Sequence, residues 1–274
     1  QEISSLNFEQ RNMEITYSED LQERRDEIEK KLRKKYKHDL VGRFEKAVVR
    51  YELVSENDRI AVCISGGKDS MLLAKLFQEL KRHNQINFEL EFLVMDPGYN
   101  PANRKRIEDN AKVLGVPITV FETDIFDTVH TIDKSPCYLC ARMRRGYLYS
   151  NAKKLGCNKI ALGHHLDDAA ETFMMNLLIE SRIGCFAPVT YLSRKDVTMI
   201  RPLALAVESD VVSAVNQMKM PIVKSACPAD GVTNRQNMKD FITEKCKTDP
   251  SFRAKSLNAF QKKDLDGWGI KNKI

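Results

Sequence analysis

The sequence predicts an α/β fold: a doubly wound, parallel, five-stranded sheet preceded by a helical N-terminal arm. Three observations predict it. Short apolar runs alternate with amphipathic stretches from about residue 60 to residue 218, the pattern of a parallel sheet covered by helices on both faces. One apolar run turns through two glycines directly into a helix. Ahead of both lies a long charged stretch with helical spacing.

The arm comes first. Residues 1 to about 19 are polar and lack a clear period. From Leu21 to Tyr51 the chain is dense in Lys, Arg and Glu, and Leu32, Tyr36, Leu40, Phe44 and Val48 recur every four residues. That spacing draws one apolar stripe along a helix, which packs on the main domain. Strands are expected at Ile60–Ile64, Leu90–Met95, Ile118–Phe121, Lys159–Leu162 and Thr198–Arg201. Helices are expected at Asp69–His83, Asn103–Leu114, Cys140–Leu155, Asp167–Glu180 and Ser209–Met218. Right-handed crossovers then place ligands at the carboxyl ends of the strands. The tail from about Pro250 is basic with scattered aromatics. The expected organisation is an arm over 1–54, one catalytic domain over 55–248 and a basic tail over 249–274.

Composition fits a soluble globular protein. Of the 274 residues, 42% are hydrophobic and 30% charged, and no run of about 18 apolar residues suggests a membrane span. The first residues have no apolar core and no basic leader, so a cytoplasmic location is expected. Lys and Arg number 44 against 38 Asp and Glu, a net charge of +6, which on its own describes a solvated surface before it describes a nucleic-acid binder. Seven cysteines, an odd number, argue against a disulfide scaffold. Cys63, in the apolar run AVCIS, and Cys157 read as buried small hydrophobes, and Cys185 and Cys246 as ordinary free thiols. Cys137, Cys140 and Cys227 stand apart.

Residues 60–70 read IAVCISGGKDS, followed by the helix MLLAKLFQEL. Gly66 and Gly67 let backbone amides approach an anion without Cβ obstruction, and the helix N-terminus adds unpaired N–H groups and a positive dipole end. Lys68 adds a charge; Ser65 and Ser70 add hydroxyls. The result is a pyrophosphate cradle, distinct from the P-loop of kinase-type enzymes, whose glycine-to-lysine spacing is longer. A second element, KIALGHHLDD over 159–168, runs from a strand through Gly163 and His164 to paired carboxylates. Such carboxylates hold Mg²⁺ or order a reacting hydroxyl. Asp167 is expected to cap the helix, leaving Asp168, with Asp69, as catalytic group and Mg²⁺ ligand.

Cys137-Tyr-Leu-Cys140 opens a helix, and Cys227 lies in the loop SACPADG. Three thiolates suit an iron–sulfur cluster with one iron left open; a closed zinc site would need a fourth ligand. Arg142, Arg144 and Arg145 follow the CxxC pair. A solvated helix face accounts for such a run, but its place beside the cysteines favours contact with phosphate or substrate.

The hexapeptide SGGKDS resembles the signature of the PP-loop ATP pyrophosphatases, adenine nucleotide alpha hydrolase-like enzymes that cleave ATP between its α and β phosphates. By that resemblance VMDPGYN contacts adenine, through Met95 and Asp96. The series SGGKDS, SPCYLCARMRRGYLY, NKIALGHHLDDAAET, IRPLA and CPADGVTNRQ resembles the tRNA 2-thiocytidine synthetase family, TtcA, from about Lys34 to about Asp240. The resemblance implies a 4Fe-4S cluster on Cys137, Cys140 and Cys227, with ATP and Mg²⁺ as further cofactors. It implies ATP-dependent adenylation of cytidine at position 32 in the tRNA anticodon loop and replacement of its 2-oxygen by sulfur. Lys68 and Arg144 join Asp69 and Asp168 as catalytic candidates. The implied partners are tRNA and a sulfur donor, either a cysteine desulfurase or sulfide, and a homodimer is left open. Family members often carry a second cysteine three residues before the last ligand; here Lys224 stands there. The competing readings are a 2-thiouridine synthetase of the same superfamily, an amide- or lysine-ligating relative, and a non-catalytic iron–sulfur sensor that binds nucleic acid. A lone CxxC pair counts against the first, and the three cysteines against the second. The intact SGGKDS and GHHLDD count against the third.

Overall fold

A computed structural model describes residues 8–83, 86–126, 136–223 and 234–269, with side chains from residue 19 in the first helix and from residue 139 in the helix that begins at Pro136. The arm is α1 (Phe8–Lys34), a π-turn (Lys37–Val41) and α2 (Gly42–Arg50). The single helix expected over Leu21–Tyr51 is therefore broken. The reason lies in the stripe itself: four-residue steps overshoot a 3.6-residue turn by about 40° each, and the wider turn at Lys37–Val41 absorbs the drift. Leu32, Tyr36, Leu40, Phe44 and Val48 are all buried as a result.

The sheet contains β1 (Arg59–Ile64), β2 (Glu89–Asp96), β3 (Ile118–Glu122), β4 (Lys159–Ala161), β5 (Val189–Leu192) and β6 (Val197–Ile200). Their order is β3-β2-β1-β4-β6-β5. All five expected strands pair in parallel. The sheet has a sixth, β5, antiparallel to β6 at the edge. Its four residues are too few for a period to show, and Tyr191 faces solvent. The hairpin closes at Asp196, whose φ is +49°.

Between the strands run α3 (Lys68–His83), α4 (Pro101–Leu114), α5 (Pro136–Lys154), α6 (Leu166–Leu178) and α7 (Glu208–Gln217). Asn100 caps α4 by accepting from the Asn103 N–H, Pro101 occupies the first turn, and Gly115 ends the helix at φ +65°, as the preferences of Asn, Pro and Gly at these positions require. Beyond them come α8 (Asn234–Thr248), a helix not among those expected at the end of the catalytic domain, and α9 (Phe252–Lys262), which forms where the sequence suggested only a basic tail. Trp268 is fully buried in the main core, its ring N–H donating to the Phe186 carbonyl at 2.8 Å.

Chain order reverses beside β1. The strand that follows β1 pairs on one side of it and β4 on the other. The carboxyl ends of β1 and β4 therefore border the switch-point crevice, where open α/β sheets bind ligands. SGGKDS leaves β1 and GHHLDD leaves β4, so the topology brings both motifs to one crevice.

Candidate active site

The glycine turn is held by its own serines. The Ser70 hydroxyl donates to the Gly67 carbonyl at 3.0 Å and accepts from the Ser65 N–H at 3.1 Å. The Ser65 hydroxyl lies 3.1 Å from it. Gly66 adopts φ +82°, and a Cβ there would sit 2.9 Å from Ile107, so two independent constraints demand glycine. α3 then starts at Lys68 with its first amides unpaired within the helix and turned to the crevice side of the sheet.

Across the crevice His165, not Asp167, caps α6. Its Nδ1 accepts from the Asp168 N–H at 3.3 Å while Asp168 Oδ2 accepts from the His165 N–H at 2.9 Å, a reciprocal capping box. The helix begins one residue earlier than expected, at Leu166, which moves the cap to His165. Asp167 is buried, accepts from the Glu208 N–H at 2.7 Å and pairs with Arg253; it anchors α7 and α9. Since Nδ1 of His165 accepts, Nε2 carries the proton, and it faces Asp69 Oδ1 at 3.8 Å. One buried imidazole thus spans the two predicted metal carboxylates, Asp69 and Asp168.

A cavity of about 330 Å³ opens between these elements. Ser65, Asp69 and Ser70 line it from the glycine turn, Gly163 and His164 from the end of β4, and Met95 from the end of β2. Arg144, Arg145 and Leu148 line it from α5. Cys63 also lines it, so this thiol is only half-buried rather than a core residue; desolvation pushes its pKa up. Cys157 is buried as expected. Cys63, Ile64, Leu93, Met95, Leu148 and Leu162 give the cavity a largely apolar wall. Gly66, Gly67, Lys68, Asp96 and Asp168 do not line it. Asp96 is buried and its Oδ1 accepts from the Gly98 and Tyr99 N–H groups at 2.9 and 2.6 Å, closing the turn after β2.

Charge is graded through the site. Burial would lower the Lys68 ammonium pKa, but Asp69 at 2.9 Å and Glu208 at 3.2 Å raise it. Burial likewise works against ionised Glu208, yet Lys239 and Lys68 bring it down to about 2. Glu171 goes the other way: burial and the neighbouring Asp168 push it up to about 7, against Arg235. Burial lowers His164 to about 4, with Arg201 and Arg235 helping, so it is neutral at physiological pH. The His164 ring packs at 5.3 Å from Phe186, on which the Arg201 guanidinium rests at 4.8 Å.

Of the predicted cysteines, Cys140 packs with Leu139 and Met143 against Met95 and Ile125. The Cys137 side chain and all of Cys227 lie outside the described residues. The residues flanking 224–233 both reach the site: the Val223 N–H donates to the Gly66 carbonyl at 2.9 Å, and Arg235 meets Asp168 at 3.3 Å. Among the described residues no group of three or more His, Cys, Asp or Glu is arranged around a metal position. Two hard carboxylates, Asp69 and Asp168, nonetheless fit Mg²⁺, which is commonly held by one or two carboxylates and substrate phosphates. Sequence reasoning missed His165 as a bridge, Tyr99, Glu208, Arg235 and Lys239. Burial pushes the Tyr99 hydroxyl pKa up, and the Arg144 charge beside it works against that. Only the Arg235/Lys239 spacing, i to i+4, offered a signal.

Four of the arm's arginines reach onto the domain. Arg24 donates to the Lys219 carbonyl at 2.8 Å and Arg25 to that of Val113 at 3.2 Å, while Arg33 pairs with Glu79 and Arg43 with Asp210. These four groups clamp the arm to the domain, while Lys30, Lys34, Lys37 and Lys46 stay exposed. Among the described residues no helix is long and apolar enough to cross a membrane.

Comparison with known proteins agrees with this geometry. A PP-loop domain matches residues 25–245. The tRNA-cytidine(32) 2-sulfurtransferase of Geobacter sulfurreducens is 35% identical over 80% of this chain and 86% of its own. That of Pelobacter propionicus is 36% identical over 78% of this chain and 81% of its own. Among solved structures, the U34-tRNA thiolase NcsA from Methanococcus maripaludis, described with its 4Fe-4S cluster, superposes with a TM-score of 0.65 at 23% identity. The match covers 81% of this chain and 77% of that one, a shared fold. With a matched domain over most of its length and relatives a third identical across four-fifths of it, the chain belongs to the PP-loop family and, within it, to the tRNA-cytidine(32) 2-sulfurtransferases.

Proposed function

We propose that this protein uses ATP to thiolate cytidine 32 of tRNA, converting it to 2-thiocytidine. The observation that carries the reading is the shared cavity: the glycine turn and Arg144 and Arg145, from the helix that bears the CxxC pair, line the same 330 Å³ space at the switch point of the sheet. The family membership supplies the substrate class.

The chain's own residues account for the first half of the chemistry. The turn at 65–70 holds the phosphates on the backbone amides of α3, with Ser65 and Ser70 fixing its shape. The apolar wall around Met95, Leu93 and Leu162 suits a flat base. Asp69 and Asp168, oriented through His165, would hold Mg²⁺, which supplies charge neutralisation at the phosphates. The cytosine 2-oxygen attacks the α-phosphorus and pyrophosphate leaves. Arg144, in the cavity wall, offsets negative charge as it develops. Sulfur then adds at C2, and AMP departs carrying the original oxygen. A 4Fe-4S cluster on Cys137, Cys140 and Cys227 would supply a binding position for that sulfur. Support comes from Cys140 packing on Met95, and from Val223 and Arg235 bracketing the Cys227 stretch against Gly66 and Asp168. The sulfur donor is sulfide or a cysteine desulfurase, and the work is done in the cytoplasm where tRNA is.

Anaerobic purification with iron and sulfide analysis tests the cluster. The expected outcome is about four irons per chain, abolished in Cys227→Ser. A full complement of iron in that variant would remove Cys227 from the ligand set. Pyrophosphate and AMP release dependent on tRNA tests the adenylation.

A further inference from the structure

Helix α8 carries two cations one turn apart, Arg235 and Lys239, and both meet the carboxylates around the nucleotide loop. Lys239 Nζ lies 2.6 Å from Glu208 Oε1, and Lys68 Nζ lies 3.2 Å from the same oxygen. Two ammonium groups therefore share one carboxylate oxygen at the start of α3. Arg235 Nη1 lies 3.3 Å from Asp168 Oδ1 and 3.2 Å from Glu171 Oε2. The layering is clear from exposure. The Arg235 and Lys239 side chains are 46% and 41% exposed, whereas Glu208, Asp168 and Glu171 are 16%, 20% and 4% exposed. The carboxylates form an inner layer and the α8 cations an outer one, open to a ligand.

We propose that Arg235 and Lys239 are pyrophosphate-binding residues, which with Lys68 grip the β and γ phosphates of ATP and the pyrophosphate that leaves. The proposal deepens the reading of residues 65–70 as the ATP site and rests on it. Its physical basis is an exchange of partners. A magnesium nucleotide brings a cation for Asp69 and Asp168, and anionic oxygens for Lys68, Arg235 and Lys239. Asp69 and Asp168 take the metal in place of Lys68 and Arg235, while Lys68, Lys239 and Arg235 each have several N–H groups and can keep one on Glu208 or Glu171 as the others turn to phosphate, so no buried carboxylate is stranded. Guanidinium and ammonium groups make short, charge-assisted bonds to phosphate, and the unpaired amides of α3 face the same anion. Without α8 a single lysine, Lys68, would face the whole charge of the departing pyrophosphate from the described part of the turn. With it there are three cations.

The test is calorimetric titration of the full chain with pyrophosphate in excess Mg²⁺, and separately with AMP. The proteins are the parent, Lys239→Met, Lys239→Arg, Arg235→Met and Arg235→Lys. Methionine keeps length and apolar packing while removing charge. The expected result is a loss of tenfold or more in pyrophosphate affinity for each methionine variant. AMP affinity should stay within about twofold, and most of the pyrophosphate affinity should return in the charge-keeping variants. Methionine variants that bind pyrophosphate as the parent does would overturn the assignment. So would parallel losses for pyrophosphate and AMP with a lowered melting midpoint, which would make the two cations purely structural. Failure of the parent itself to bind either pyrophosphate or ATP would instead bring down the ATP-site reading, and this inference with it.

Discussion

Single residues decide how closely the two motifs approach. Gly163 ends the β4 side of the crevice, and a Cβ there would stand 3.2 Å from the Asp69 carbonyl carbon and 3.3 Å from its Cβ. Backbone cannot step aside as a flexible side chain can, so Gly163→Ala should displace Asp69. We expect ATP affinity to fall roughly tenfold with little change in melting midpoint, measured by calorimetry; unchanged affinity would show that Asp69 is not held by this contact. Much at this scale was legible in the sequence. Ser65, Asp69, Ser70, Met95, Gly163, His164 and Arg144 were all named from motifs and all line one cavity. The capping geometry was not legible, because His165 and Asp167 are both plausible caps in HHLDD. The choice between them depends on where α6 begins, and that is set by Asp167 being drawn to Arg253 and the start of α7.

Elements carry the site by buried ion pairs as much as by apolar packing. The arm docks on α3 through Lys75, whose ammonium is buried and bonds Glu29 at 2.8 Å, Gln78 at 2.8 Å and the Leu114 carbonyl at 3.1 Å. Burial alone would raise the Glu29 pKa, but the Arg82 and Lys75 bonds outweigh it and hold the group at about 2. A carboxyl lowered on folding stabilises the folded state above its ordinary pKa of 4.5. That stabilisation is lost as pH falls from there toward 2. Glu29→Gln should therefore cost about 3 kcal/mol at pH 7, shrinking toward zero between pH 5 and pH 2. Denaturant titrations at several pH values measure it; a penalty independent of pH would contradict the ion-pair account. The four-residue stripe marked the arm's buried face, since apolar spacing records which side packs, but not the π-turn that breaks its helix. Glu29 lies 46 residues from Lys75 and 53 from Arg82, and no local pattern marks such a pair. The edge strand β5 was hidden for a different reason, being too short to show alternation.

At the scale of the whole molecule, the C-terminal region is tied into the site. Trp268 touches Phe260 at 5.7 Å and Phe186 at 6.3 Å, and Phe186 lies against His164 in the cavity. The residues responsible are spread over 100 positions of chain, which is why the tail looked merely basic in the sequence. Trp268→Ala should destabilise the protein by about 3–5 kcal/mol and weaken nucleotide binding through the Phe186–His164 contact. Full stability in that variant, read from its thermal midpoint, would mean the tail is only apposed. The central claim is that this assembly puts sulfur on a cytidine of tRNA, and nucleoside mass spectrometry after an anaerobic reaction tests it most directly. The reaction holds the purified protein, unmodified tRNA, ATP, Mg²⁺ and sulfide. The account predicts 2-thiocytidine at position 32, dependent on ATP and absent with Cys227→Ser; thiolated uridine instead, or no thiolated nucleoside at all, would contradict it.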